Sequence, residues 1–238
     1  MQKTIIALVA LVLLSSCEEK KTDKNLHITG NIKGFKKGIL YIQRIKDTSL
    51  VAIDTIKIDG DSHFTSDLKI VSPEMLYLFI DRGVTNSVDT NLPFFVEPGN
   101  INIETSLDFF TADAKISGSK NQELYDEYKK VVSRYVDQNL ELIQKRFEAI
   151  KNKNAAALNK IQQEQDDLLK RKYLYTTNFA VNHADYEVAP YVAVAEIYDI
   201  NLKFLDTIQK SMTPKVAKSL YGKKLNTLIQ ERKKLETK

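Results

Sequence analysis

The chain has 238 residues, with 35 Lys and Arg, 31 Asp and Glu and a single cysteine. One cysteine excludes an intrachain disulfide, a Cys-x-x-Cys redox pair and a thiolate metal site built by this chain alone. The charge is uneven, because residues 25–118 carry 9 basic and 12 acidic side chains whereas residues 119–238 carry 22 and 16. The basic half is either the solvated face of lysine-rich helices, which we favour, or a surface for anionic partners.

The first residues have the layout of a secretory signal peptide. Lys3 precedes an unbroken apolar run over residues 5–14, and small residues follow it. The run is too short to span a bilayer, which takes about 20 apolar residues. Leu14-Ser15-Ser16-Cys17 resembles the lipobox of bacterial lipoproteins. This resemblance implies removal of residues 1–16 and diacylation of Cys17, and the alternative is an ordinary cleavable signal that ends near a cysteine.

The lipoprotein interpretation implies a membrane as a partner. Two or more acyl chains on Cys17 are enough for stable anchoring, and the polar residues 17–25 then form a flexible tether. We expect an outer-membrane location, facing either the periplasm or the cell surface. Glu18-Glu19 resembles an acidic surface-export signal, which Lys20-Lys21 interrupts.

Residues 26–118 have the pattern of an antiparallel β domain. Short segments rich in Ile, Val, Thr and Tyr alternate with Gly, Asp and Pro turns, which predicts a β-sandwich or a partly open barrel. The continuous apolar run over residues 75–80 predicts a strand buried on both faces. We expect a hairpin turn at residues 59–61, and a type II turn at residues 97–100 that leads into a returning strand.

Residues 119–238 change to a helical period. Apolar residues from Leu124 to Ile150 recur mostly every three or four positions, which predicts a long amphipathic helix, with an irregularity at residues 138–139. After a turn at residues 151–154, a second helix over residues 155–179 completes a helical hairpin. Further helices are predicted over residues 188–198 and 201–212, and Thr213-Pro214 begins a last helix that runs to the end. The fold class is therefore α+β.

Several segments carry a resemblance to a known family. They are Ile-Thr-Gly-Asn-Ile (28–32), Phe-Phe-Val-Glu-Pro-Gly (94–99) and Gly-Ser-Lys-Asn (118–121), together with the strand pair around residues 53–64. They resemble the β-rich N-terminal domain of unknown function of Bacteroidota lipoproteins, in which a helical segment and a thioredoxin-like domain of the thiol–disulfide interchange type follow. The resemblance covers residues 26 to about 235, so we expect this chain to lack the thioredoxin-like domain.

No catalytic set emerges from the residues. His27, His63 and His183 lie far apart and lack a second histidine at helical spacing, so no metal site is expected. Asp166 and Asp167 would point to different sides of a helix. Ser-x-x-Lys occurs at residues 66–69 and 117–120 without the motifs that accompany it in enzymes. We expect no catalytic residues, no cofactor and no nucleic-acid partner.

Four aromatic residues are the candidate contact surface: Phe94, Phe95, Phe109 and Phe110. In an extended segment each adjacent pair places one ring on the opposite face, and an outward ring would mark a binding site. Three hypotheses of function follow. They are a non-enzymatic envelope lipoprotein that binds a protein or ligand, an accessory partner of a separate thioredoxin-like protein, and, least favoured, a carboxylate-based hydrolase.

Overall fold

The computed structural model describes residues 23–81 and 91–236 of the chain. The expected signal peptide, Cys17 and most of the tether lie outside the described residues. Within them, eight strands precede six helices, which confirms the α+β prediction. The strands are β1 (Leu26–Lys33), β2 (Lys37–Lys46), β3 (Ser49–Asp59), β4 (His63–Leu68), β5 (Glu74–Asp81), β6 (Asn91–Val96), β7 (Gly99–Ser106) and β8 (Lys115–Ser117).

The strands form two four-stranded sheets that pack face to face, which is the sandwich arrangement. The first sheet has the order β4-β1-β7-β8 and the second has the order β3-β2-β5-β6. Ile28 and Ile101 of the first sheet share a fully buried core with Leu40 and Leu78 of the second. All the ladders among the described strands are antiparallel except that of β1 with β7, which is parallel.

Two predicted turns are in fact crossovers between the sheets. The segment around Gly60 joins β3 of the second sheet to β4 of the first, so it is not a hairpin turn. Gly99 likewise begins a strand of the first sheet, and the predicted returning strand does not pair with β6. The Gly99 amide donates to the Asn25 carbonyl at 2.9 Å, so β7 extends the ladder of β1 instead. Turn residues mark where a strand ends, but they do not determine which sheet the next strand joins.

The helices follow the predicted order, but several of their bounds differ from the predicted ones. They are α1 (Lys120–Lys151), α2 (Ala155–Asn182), α3 (Val188–Glu196), α4 (Leu202–Ser211), α5 (Pro214–Ala217) and α6 (Leu220–Glu236). Helix α1 is continuous through residues 138–139, and α3 ends two residues before the predicted position. The last predicted helix is two helices, because the Ser219 hydroxyl accepts from the Gly222 amide at 3.2 Å and caps a new helix there.

Strand β5 is covered on both faces, as its apolar run predicted. Leu76, Leu78 and Ile80 face the interior of the sandwich. Met75 lies on the other face and packs in a second core with residues from the helices, such as Tyr128 and Leu205. The helical part is therefore packed directly on the outer face of the second sheet.

Helices α1 and α2 form the predicted hairpin. Their outer halves pack on each other through a small third core of four buried side chains, which are Leu142, Ala149, Ile161 and Leu168. The inner halves of both helices, with Leu124 and Phe179, belong to the core beneath the second sheet.

Candidate functional site

A cleft opens where the sandwich meets the helical part. Its volume is about 710 Å³. We call it the junction cleft, and define it by its lining residues: Arg44, Lys69, Val71, Ser72, Pro73, Glu74, Glu97, Pro98, Lys120, Asn121, Asp185, Tyr186, Glu187, Lys215, Lys218, Ser219, Leu220 and Lys223. These residues come from strands β2 and β5, from the connections between the sheets, from three helices and from the connection between α2 and α3. The cleft therefore exists only in the folded chain.

One side of the cleft is organised by Asn121, in the first turn of α1. Its side-chain amide donates to Glu97 at 2.8 Å and to Glu187 at 3.2 Å. Its carbonyl oxygen accepts from the Val188 amide at 2.8 Å. Because Asn121 is buried at 1% exposure, these bonds hold the end of β6, the start of α1 and the start of α3 together.

The start of α1 is capped twice in this network. The Ser119 hydroxyl accepts from the Gln122 amide at 3.1 Å, which is the usual N-cap bond. The Glu97 carboxylate accepts from the Lys120 amide at 2.8 Å, and its negative charge is favourable at a helix N-terminus. The first four backbone amides of a helix have no acceptor within the helix. In α1 two of them are bound in this way, one of them by a side chain from the β domain.

The floor of the cleft is an ion pair between Arg44 of β2 and Glu74 of β5. Arg44 donates two bonds to the Glu74 carboxylate, of 2.7 Å from Nε and 2.8 Å from Nη2. Burial raises the pKa of Glu74 above its ordinary value, while the bonds from Arg44 act to lower it. The guanidinium therefore favours the ionised form of this carboxyl group and offsets part of the effect of burial.

The rim of the cleft is cationic. Five lysines stand around it, and all of them are exposed. They are Lys69, Lys120, Lys215, Lys218 and Lys223. Among the described residues, the side chains of Lys218 and Lys223 make no hydrogen bond or ion pair. Lys69, Lys120 and Lys215 are paired with Asp23, Glu123 and Glu187. With Glu74, Glu97 and Glu187 bound to Arg44 or Asn121, the charged groups left to meet a ligand are the ammonium groups of Lys218 and Lys223 and the carboxylate of Asp185.

Behind the floor lies a cluster of tyrosines that belongs to the core between the second sheet and the helices. The ring centroids of Tyr221 and Tyr191 are 4.9 Å apart. The Tyr191 ring also lies edge-on to that of Phe95, with 5.5 Å between the centroids. The Met75 amide donates to the Tyr221 hydroxyl at 3.0 Å. Burial raises the pKa of Tyr191 and that of Tyr221. These phenols therefore stay protonated at neutral pH and act in packing and hydrogen bonding.

Three of the four phenylalanines predicted as a contact surface are buried, so that prediction is wrong for them. Phe94 and Phe95 are both 0% exposed and Phe110 is 2% exposed. Phe94 does face away from Phe95, but the outer face that holds Phe95 is covered by helices. Only Phe109, at 63% exposure, presents its ring to solvent.

The histidines lie outside the cleft. His27 bonds Asp67 at 2.5 Å and His63 bonds Asp61 at 2.7 Å, in both cases on the surface of the sandwich. His183 caps the end of α2, with its ring 4.5 Å from that of Phe179. Within residues 23–81 and 91–236, no group of three His, Asp or Glu side chains is placed to hold a metal ion. No helix in the same ranges has the length and apolarity to cross a membrane.

Sequence reasoning missed the cleft, although it singled out two segments that build one wall. Residues 94–99 and 118–121 were distinctive as motifs, and they meet through the bonds of Glu97 with Lys120 and Asn121. Gly118 has φ +96°, and a Cβ atom there would lie 1.9 Å from the Asn100 carbonyl oxygen. The two motifs are therefore the two sides of one contact.

The comparisons with known proteins concern the N-terminal part. Residues 26–125 match the profile of a family described as a domain of unknown function (DUF4369). Searches of curated proteins and of solved structures gave no match to the chain. The matched residues contain every described strand and the first residues of α1. The β-rich N-terminal part of this chain therefore fits the DUF4369 family of domains of unknown function.

Proposed function

We propose that this protein is a non-enzymatic lipoprotein of the cell envelope that binds an anionic group of an envelope partner in the junction cleft. Lipid on Cys17 anchors it in the outer membrane, on the periplasmic or the outer side. The observation that carries the proposal is the set of five exposed lysines around a cleft in which three of the four carboxylates are already bound.

The state of the carboxylates supports a binding role over the hydrolase alternative. Glu74 is held by Arg44, and Glu97 and Glu187 share Asn121. A general acid or base needs a proton that can move to or from the substrate. Carboxylates fixed in structural bonds of this kind instead hold the walls of the cleft in position.

The contacts of the first described residues support a position of the cleft close to the membrane. Asp23, the first described residue, forms an ion pair with the rim residue Lys69. Asn25 fixes the next turn, because its side chain donates to the Ile70 carbonyl at 2.8 Å and accepts from the Ile70 amide at 2.9 Å. Asp23 is six positions after Cys17, and a fully extended chain spans at most roughly 20 Å over that length. An anchor on Cys17 thus keeps this rim close to the membrane surface.

Acylation and binding are tested separately. Metabolic labelling with a palmitate analogue should label the full-length chain and not Cys17→Ser, which should also leave the membrane fraction. Labelling of Cys17→Ser, or wild-type chain free of the membrane, contradicts the anchor.

The binding role is tested by crosslinking pull-down from the native envelope, read by mass spectrometry. The variant Lys215→Glu/Lys218→Glu/Lys223→Glu reverses three rim charges and should lose the partners that the wild type recovers. Lys33→Glu/Lys36→Glu/Lys37→Glu is the matched control, because these lysines are also exposed and lie outside the cleft. Equal recovery by both triple variants rejects the cleft as the binding site. Recovery of a thioredoxin-like protein by the wild type would identify the partner as a thiol–disulfide enzyme.

A further inference from the structure

The outer half of α1 carries an apolar stripe that no described residue covers. The stripe consists of Val136, Leu140, Ile143, Phe147 and Ile150. Ile143 is half-buried, and the other four side chains are 50%, 58%, 68% and 54% exposed in chain order. We call these five residues the outer stripe. The side of α1 that faces α2 is a different one, formed around Leu142 and Ala149.

The spacing of the outer stripe is that of a helix-pairing seam. Its members follow one another at intervals of four, three, four and three residues, which is the a/d pattern of a coiled coil. The stripe covers 15 residues of α1, or about 21 Å of helix axis at 1.5 Å per residue. A helix is therefore the shape of partner that this face fits.

We infer that the partner is a second copy of this chain, paired antiparallel through the outer stripe. The ends of the stripe lie seven positions on either side of Ile143, and Leu140 and Phe147 lie three and four positions from it. A two-fold axis at Ile143 places Val136 of one copy opposite Ile150 of the other, and Leu140 beside Phe147. Such an isologous interface uses the same patch on both copies, as in most homodimers.

The charges beside the stripe select the antiparallel direction. Asp137 and Lys151 stand on the same flank, and their side chains make no ion pair with any described residue. In the antiparallel pair each Asp137 lies across from the Lys151 of the other copy, whereas a parallel pair would place these two side chains on opposite sides of the seam. On the opposite flank, Asn139 and Arg146 are already bonded to α2 through Gln165, at 3.1 Å and 3.4 Å. Of the two flanks, the one with Asp137 and Lys151 therefore keeps its charges available to a second copy. This inference does not depend on the junction cleft.

Cysteine crosslinking tests the geometry in the full-length, membrane-attached chain. Cys17 is the only native cysteine, so wild type and Phe109→Cys, at a 63% exposed position, are the controls and should give no covalent dimer. Ile143→Cys should give a disulfide-linked dimer on mild oxidation. Coexpressed Val136→Cys and Ile150→Cys should crosslink to each other, and Val136→Cys alone should not. No dimer at position 143, or a dimer of Val136→Cys alone, overturns the proposal.

A charge exchange tests self-association without disturbing the fold, since both side chains are on the surface. Sedimentation of the detergent-extracted full-length chain should show dimers that Asp137→Lys or Lys151→Asp weakens about tenfold. An equimolar mixture of the two variants should regain the wild-type association. A monomeric wild type, or a mixture as weak as its components, contradicts the pairing. A heterologous protein on this face would then be the remaining occupant.

Discussion

The carboxylate of Glu97 accepts a 2.8 Å hydrogen bond from the side-chain amide of Asn121. This bond joins the end of the last strand of one sheet to the first turn of the long helix. The same amide group reaches Glu187 at the start of α3. The β domain and the helical part are thus joined through polar contacts as well as through their shared apolar core.

Replacing Asn121 by alanine should cost about 3 kcal/mol of unfolding free energy. The change leaves the Val188 amide and two carboxylates without their buried partner, and bonds to charged groups contribute about 1.5–3 kcal/mol each. Urea denaturation followed by circular dichroism measures the loss. Asn178→Ala, at an exposed position of α2, should stay within about 0.5 kcal/mol of wild type. Equal effects of the two substitutions would show that the network adds nothing.

Alanine substitutions at Gly60 and Gly118 separate the cost of a left-handed backbone conformation from the cost of a steric clash. Both have positive φ, of +96° and +99°, but a Cβ atom at Gly60 meets nothing within 4 Å whereas one at Gly118 meets the Asn100 carbonyl oxygen. Gly60→Ala should cost about 1 kcal/mol for the left-handed backbone alone. Gly118→Ala should cost about 1–3 kcal/mol more, because the strand and the helix start must move apart. Denaturation midpoints measured in parallel give the difference, and similar losses would refute the close approach.

Phe109 and Phe110 are adjacent, but replacing each by alanine should change the stability of the protein to very different extents. Phe110→Ala removes a buried ring from the sandwich core and should cost about 3–5 kcal/mol. Phe109→Ala removes an exposed ring and should change stability by less than about 0.5 kcal/mol. Thermal unfolding of both variants tests which of the two rings is buried. A large loss for Phe109→Ala would place its ring in the core instead.

The ion pair of Arg44 with Glu74 should make the effect of a mutation depend on pH. Without Arg44 the pKa of Glu74 rises further, so the folded state binds a proton that the unfolded state releases. Stability of Arg44→Ala should therefore fall as pH rises from about 4, and at neutral pH the loss should reach about 2 kcal/mol, since Arg44 is partly exposed.

The control for this titration is the double variant Arg44→Ala/Glu74→Gln. It has no carboxyl group at position 74, so the added pH dependence should disappear. Urea midpoints at a series of pH values between about 4 and 8 give both curves. A constant loss for Arg44→Ala across that range would mean that Glu74 is not the group that responds.

The sequence predicted which elements form better than how they are joined. The apolar run of β5 correctly indicated burial on both faces, and the helical hairpin followed from the three- and four-residue spacing. The crossovers at Gly60 and Gly99 were missed, because a turn to the same sheet and a turn to the opposite sheet use the same residues. Phe94 and Phe95 show a related limit, since alternation assigns them to opposite faces but does not reveal that helices cover the outer one.

The candidate site could not be predicted as a site, because its walls come from distant parts of the chain. Arg44 and Lys218 are separated by more than half of the sequence, and no local spacing connects them. The partial signal was in the motif segments that hold Glu97 and Asn121. Their side chains are used to position a helix, so the motifs mark the architecture around the cleft and not a catalytic group.

The position of β1 in its sheet bears on how the protein withstands force. This strand lies between β4 and β7, and it follows directly from the segment that would lead to the membrane anchor. A pull from the membrane would act along β1, across the hydrogen bonds to both neighbours, so these would be loaded together in shear. An edge strand in the same place would peel away one bond at a time. An anchor ahead of β1 would thus pull on one of the strands that is hardest to remove from the sheet.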